Sequence, residues 1–243
     1  MPLDRLKWSY RAFRYRYRLE RQESRRLLQH LDAGDSVVDV GAHQGAYTSW
    51  MHRAVGPAGK VYAFEPQPVL AERLRQLTSA SAYDNVVVEN LGLSSSRGSL
   101  VLNVPGDGTS PGASFEDGDG GGRSYPVSVT TLDEYFDSGE ARRVRLLKCD
   151  AEGHELEVFR GAQRLLTEAR PCLLFECERR HRKSGRVDDV FSWLQALGYR
   201  GFFIDRGGPR DIEEFDPGKH QSSNDDPGYV NNFVFVSSAR VAT

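Results

Sequence analysis

The chain has 243 residues, a net charge of −2 and 39% hydrophobic residues. That length can bury a substantial core in one α/β domain with appendages, and the near-neutral balance excludes a protein that coats nucleic acid by bulk charge. No apolar run is long enough to span a membrane, and the first 30 residues lack the apolar centre of a signal peptide, so no leader or anchor is expected.

The charge is uneven. Residues 1–26 carry nine Lys or Arg against three acids, leaving −8 on the remainder. Leu6 to Leu31 reads as a helix in which Lys7, Arg11, Arg14, Arg18, Arg21 and Arg25 form a basic stripe beside an apolar one of Leu6, Tyr10, Phe13 and Tyr17. Residues 1–34 are therefore read as an arm. It packs on the domain or on a second subunit, as in a homodimer, or meets an anionic surface or acceptor. Residues 35–238 form the main domain, and 239–243 a tail.

Strand and helix then alternate. Val37 to Val40 is a buried strand, Gly45 to Val55 a helix stopped at Gly56-Pro57, and Lys60 to Phe64 a second strand. A helix is expected over 69–79, a strand over 86–89, and paired β segments over 99–104 and 125–130. Val144 to Cys149 is another buried strand, followed by one helix from His154 to Glu168. A strand over 173–177, a helix over 187–197 and strands over 202–205 and 232–236 complete the sheet. This alternation implies a mostly parallel sheet with helices on both faces, in which ligands bind at the carboxyl ends of the strands. Those ends carry Asp39, Glu65, Asn90, Asp150 and Glu176. Residues 105–124, rich in glycine and acids, read as a long mobile loop, either a tolerated insertion or a lid using Ser110, Ser114 and Phe115.

The three cysteines, Cys149, Cys172 and Cys177, lie in or beside apolar strands. Their odd number and irregular spacing argue for reduced thiols and a cytoplasmic setting, and against a zinc site.

Two constellations carry chemistry. In VVDVGAHQG a strand runs into Asp39 and a glycine turn, and a second strand ends on Glu65, 20 positions after Gly45. Glycines let the backbone approach a ligand, and an acid at a second strand tip suits ribose hydroxyls. The run Gly41, Ala42, His43, Gln44, Gly45 lacks the middle glycine of a dinucleotide site, and Asp39 would repel a pyrophosphate. The pattern favours S-adenosylmethionine, a cationic nucleoside without phosphate, over NAD. The second constellation, KCDAEGHE, puts Lys148, Asp150, Glu152, His154 and Glu155 at a strand tip and helix start. Strand alternation points Lys148 and Asp150 to the same side. Asp150 and His154 are candidate bases, Lys148 is an ion-pair partner or catalytic group, and Glu155 is a helix cap. Asp150, Glu152 and Glu176 offer oxygen ligands suited to magnesium, although catalysis without a metal is the first reading.

VVDVGAHQG, VYAFEPQP, NVVVENLGLSSSRGSL, VTTLDEYF, VRLLKCDAEGHELEVFRGAQRLL and RPCLLFECE occur in this order. Together they resemble the FkbM-type family of S-adenosylmethionine-dependent methyltransferases over roughly 35–236. The resemblance implies a class I methyltransferase (Rossmann-like) fold, a seven-stranded sheet with one antiparallel strand, and O-methylation of hydroxyls on sugars, glycans or natural products. It places Asp39, Gly41, Ala42, His43 and Gly45 in the donor pocket. Glu65 matches the ribose-binding acid, with Pro66 and Asn90 as further candidate donor contacts, and Asp150 and Glu152 match the acidic pair of the family motif and are candidate catalytic residues. His43 stands where asparagine is common. Two other readings remain: an RNA 2′-O-methyltransferase, suggested by the arm and by Lys148 beside Asp150, and a silent S-adenosylmethionine-binding module.

Overall fold

The computed structural model describes residues 31–106, 108–116, 122–181, 186–205, 208–223, 226 and 228–238. The basic arm therefore falls outside the described residues, apart from its last few positions, as does the tail. The first half of the domain contains β1 (Ser36–Val40), α1 (Ala46–Val55), β2 (Lys60–Phe64), α2 (Pro68–Ala80), β3 (Val86–Glu89), β4 (Gly92–Leu93), β5 (Gly98–Pro105) and β6 (Gly122–Thr130). The second half contains α3 (Leu132–Tyr135), α4 (Ser138–Ala141), β7 (Val144–Cys149), α5 (Glu155–Arg160), α6 (Gln163–Glu168), β8 (Cys172–Glu176), α7 (Val187–Ala196), β9 (Tyr199–Asp205), β10 (Gly208–Asp211), α8 (Pro217–His220) and β11 (Asn232–Ser237).

The main sheet has the order β10-β9-β11-β8-β7-β1-β2-β3. Strands β3, β2, β1, β7 and β8 are mutually parallel, and β11 runs antiparallel to both β8 and β9. The expected seven strands are present, with an eighth beyond them. The short β10 folds back antiparallel on β9, so two strands, not one, oppose the parallel set. Its sequence, GPRD, carries no apolar alternation and so gave no strand signal.

Burial on both faces explains the near-continuous apolar strands. Val37, Val61, Leu146 and Leu174 pack with Trp50 and Met51 of α1, while Val38, Tyr62, Leu147 and Leu173 face the opposite layer. There Phe175, fully buried, meets the rings of Phe159, Phe191, Phe233 and Phe235. Truncating such a ring costs about 3–5 kcal/mol. All three cysteines are buried.

The helix expected from His154 to Glu168 is two short helices. A Cβ on Gly161 would stand 2.0 Å from Ser94 O, so the missing side chain lets the stretch after β4 press against the chain there. The Asp133 carboxylate accepts from Arg164 N at 2.7 Å and Leu165 N at 2.9 Å, which satisfies the amino end of α6 and stabilises the break.

Strands β5 and β6 pair antiparallel over 98–105 and 122–130, and with β4 form a separate three-stranded sheet. The glycine-rich loop joins these two strands. Within it, residues 108–116 fold back onto the main sheet's carboxyl edge instead of projecting from the domain. Asn103 and Ser114 exchange backbone hydrogen bonds at 2.8 and 2.9 Å, and Asn103 Nδ2 donates to Glu116 O at 2.9 Å.

Candidate active site

A cavity of about 470 Å³ lies over the carboxyl ends of β1, β2, β7 and β8 and is covered by the loop between β5 and β6. The glycine turn after β1 forms its floor. Gly41 has φ +68°, and a Cβ there would lie 2.0 Å from Asp150 O, so the turn and the β7 tip touch through bare backbone. Gly41 N and Ala42 N both donate to Phe64 O at 3.0 Å, which ties the turn to β2. Gly45, with φ +73°, begins α1 behind the wall.

Asp39 is fully buried. Its Oδ2 accepts from Thr48 Oγ1 at 2.6 Å, and Lys148 Nζ lies 3.8 Å from Oδ1. Burial raises its carboxyl above the ordinary range, with Lys148 opposing. Lys148 is a hub. Its Nζ donates to Val40 O at 3.3 Å, Gly41 O at 3.4 Å and Asp150 Oδ2 at 3.3 Å, and it sits 5.3 Å over the Tyr47 ring. The expected pairing of Lys148 with Asp150 is therefore present. The other oxygen of Asp150 is buried without a hydrogen-bond partner among the described residues.

Glu65 ends β2 with its carboxylate on the cavity wall. Oε2 accepts from His43 N at 2.7 Å and Oε1 from Gln67 N at 2.9 Å. Burial lifts the carboxyl to about 7 despite these donors. Each oxygen keeps a second acceptor direction. Asn90 reaches the site indirectly: its Nδ2 donates to Glu65 O and Pro66 O at 2.9 and 3.0 Å, so it shapes the turn without lining the cavity.

The KCDAEGHE segment divides. Glu152 lines the cavity in a left-handed backbone conformation, φ +50°. Glu155 Oε1 accepts from Ala151 N at 3.2 Å and Gly153 N at 2.9 Å, both in the turn before α5. It braces that turn and is not the helix cap expected from the sequence: among the described residues no side chain caps the first N–H groups of α5. His154 is a correction. Its Nε2 bonds Ser94 Oγ and its Nδ1 bonds Glu116 Oε1, each at 3.0 Å, and it does not line the cavity. With both ring nitrogens engaged it anchors the loop and offers no base to a substrate. Asp150, Glu152 and Glu176 do not gather as ligands: among the described residues no three His, Cys, Asp or Glu side chains form a metal-holding group.

Phe115, one of the loop contacts expected from the sequence, lines the cavity and fills the space beside Gly92, where a Cβ would fall 2.4 Å from its ring. Other wall residues gave no sequence signal: Gln67 clasps Ser110 of the loop. Beyond the tip of β8, Arg180 and His181 complete the wall. Arg180 holds Glu178 with both ends of its fork, at 2.6 and 2.8 Å, and Tyr229 donates to the same carboxylate. These partners draw Glu178 below the ordinary range despite burial, while burial and nearby acids push Glu176 well above it. The segment ECERRHRKSG has no periodicity to mark it, and only its position just past a strand's carboxyl end was a cue.

The strand order, the glycine turn and the acid ending β2 define the class I methyltransferase architecture. The sequence matches the methyltransferase FkbM domain model over residues 39–200, and the chain belongs to that family. It is 32% identical over 142 residues to hexuronic acid methyltransferase AglP of Haloferax volcanii, covering 58% of this chain and 56% of AglP. It is 32% identical over 163 residues to methyltransferase sdnD of Sordaria araneosa, covering 55% and 62%. The matches thus span between half and two thirds of these relatives. The crystal structure of methyltransferase FkbM from Methylobacillus flagellatus superposes with a TM-score of 0.51 at 15% identity, covering 96% of this chain and 54% of that one. A Streptococcus mutans methyltransferase solved with SAH gives 0.50 at 12% identity, covering 86% and 92%. These two show the shared fold. Among the described residues no helix is long and apolar enough to cross a membrane.

Proposed function

We propose that this chain binds S-adenosylmethionine in the cavity and methylates a hydroxyl of a sugar, glycan or natural product. The observation that carries the reading is Glu65, a buried carboxylate on the cavity wall, aimed by two backbone N–H donors and with acceptor capacity left over. Ribose hydroxyls are the complement of such a group. Asp39 and the unpartnered oxygen of Asp150 add negative character where an ammonium or sulfonium would sit. The relative AglP, by its name a hexuronic acid methyltransferase, supports a sugar acceptor.

When bound, the donor supplies an electrophilic methyl carbon on a sulfonium leaving group. The chain's part is alignment, exclusion of water and handling of one proton. Lys148 fixes the β1 turn against β7 and neutralises Asp150. Phe115 with Pro111, Gly112 and Ala113 of the loop lines the cavity and screens part of it from solvent. Asp150 stands between the two halves of the site, and its charge is felt at Asp39, Glu152 and Glu176 alike.

Titration calorimetry with S-adenosylhomocysteine and with NAD tests the donor. Binding of the former at micromolar concentration and none of the latter is expected, and the reverse would sink the reading. Transfer of tritiated methyl to a panel of methyl glycosides tests the acceptor class.

A further inference from the structure

We propose that His181 is the general base that deprotonates the acceptor hydroxyl and that Glu152 positions it, the two forming a carboxylate–imidazole dyad on the cavity wall. The inference rests on the methyl-transfer reading above. His181 Nδ1 lies 2.7 Å from Glu152 Oε2. The two atoms stand at ion-pair distance but off the hydrogen-bond line, since Glu152 Oε2 has no aligned hydrogen-bond partner among the described residues. A small rotation of the ring lets Nδ1–H donate to the carboxylate, and that tautomer leaves the Nε2 lone pair available. Among the described residues Nε2 has no hydrogen-bond partner, and His181 lines the cavity with Glu152 and Asp150. This is the arrangement that His154, bonded at both nitrogens, lacks.

The backbone is built to bring the two together. Gly153, φ +100°, has no Cβ, and one would stand 2.4 Å from His181 O. The turn after β7 and the single 3₁₀ turn over Arg179–His181 therefore meet through bare backbone. Glu152 holds a left-handed conformation that costs a non-glycine residue about 1–2 kcal/mol. Strain beside a close approach is expected where a side chain must be aimed. The Glu-Gly pair of the KCDAEGHE segment thus acquires a purpose: Glu152 aims the imidazole and Gly153 admits the segment that carries it.

The proton balance is simple. As the acceptor oxygen bonds to the methyl carbon and the carbon–sulfur bond breaks, the hydroxyl proton passes to His181 Nε2. The sulfonium charge disappears into a thioether while an imidazolium appears beside Glu152. The charged groups around the ring are Glu152 from the β7 tip, Glu178 and Arg180 from its own segment, and Glu116 from the loop against Gly153. Burial pulls the imidazole down, but Glu152 and Glu178 outweigh it and the net direction is up.

Two measurements decide the point. Long-range ¹H–¹⁵N NMR of the full chain, with His181 assigned by loss of its signals in His181→Gln, should show the Nδ1–H tautomer. Its titration midpoint should lie above the ordinary histidine value and fall in Glu152→Gln. An Nε2–H tautomer, or a midpoint indifferent to Glu152→Gln, overturns the dyad. On any glycoside of the panel that accepts methyl, His181→Gln should lower kcat about 10²- to 10⁴-fold with S-adenosylhomocysteine affinity within about twofold, and the wild-type kcat should rise with pH through the imidazole midpoint. Retained kcat overturns the proposal. If S-adenosylhomocysteine binds but no glycoside is methylated, the sugar reading fails and the tautomer still decides the dyad. If S-adenosylhomocysteine does not bind, the methyl-transfer reading fails with it.

Discussion

Gln67 holds Ser110 by both ends of its amide, with Nε2 donating to Ser110 O at 2.9 Å and Oε1 accepting from Ser110 N at 3.0 Å. This clasp joins the turn after Glu65 to the glycine-rich loop, so the loop is fastened to the β2 side of the cavity. Gln67→Ala should loosen the loop around Ser110 while leaving the core untouched, with Ser114 and Glu116 still held by Asn103, Glu152 and His154. Two lost hydrogen bonds amount to about 1–2 kcal/mol, so S-adenosylhomocysteine should dissociate about fivefold faster or more, with a melting temperature close to wild type. Stopped-flow dissociation checks the first expectation and limited proteolysis within the loop the second. An unchanged dissociation rate would mean that the roof does not retain the donor.

On the proposed reading, Glu65 should link donor affinity to pH. Burial, only partly offset by Gln67 N and His43 N, raises its carboxyl from 4.5 to about 7. A folded-state value above the unfolded one means that the native state holds the proton more tightly. Its contribution to the stability of the free protein is therefore fully present below about 4.5 and lost as pH rises through about 7. Ribose hydroxyls bond the ionised form, so affinity should move the other way, strengthening up to about pH 7 and levelling above it. Glu65→Gln should flatten this profile and weaken binding by about 1–3 kcal/mol. Calorimetry from acid to mildly alkaline pH measures both.

Gly41→Ala should be among the most damaging single changes. Its Cβ would fall 2.0 Å from Asp150 O, a backbone atom that cannot swing aside as a side chain could. The positive φ adds its own cost, for a total of about 3 kcal/mol or more. Urea unfolding should show the loss. A variant of near wild-type stability would mean that the β1 turn and β7 tip can separate.

Glu176 and Glu178 should respond oppositely to amide substitution. Burial together with Asp150, Glu178 and Glu152 favours the protonated form of Glu176, which accepts from Asn231 Nδ2 at 2.8 Å. Gln keeps its shape and neutrality, so Glu176→Gln should change stability by no more than about 1 kcal/mol. Glu178 is held ionised by Arg180 and Tyr229. Its depressed value makes its contribution present above the ordinary carboxylate range and lost as pH falls below it. Glu178→Gln should cost about 1–3 kcal/mol, and its effect should shrink in acid. Thermal melts of both variants at neutral and acidic pH test the pair.

Much of this protein was determined by local sequence. Apolar strands at helix-length spacing specify a parallel sheet buried on both faces, and such a sheet puts its polar termini on one rim. Asp39, the glycine turn, Glu65, Lys148 and Asp150 were legible because each sits at a fixed offset from a strand end, where backbone geometry alone dictates direction. What the tertiary structure decided were matters of distance across the chain. His154 and His181 are both histidines beside acids, yet contacts 60 and 38 residues away, with Ser94 and Glu116, occupy both nitrogens of the first. The second gains Glu152 only because Gly153 lets two backbones touch. The same holds for the loop, whose composition spells flexibility but whose described residues are fixed by Gln67, Asn103 and Glu152. Periodicity records which way a side chain points from its own backbone. Which partner it meets depends on segments that only folding brings together.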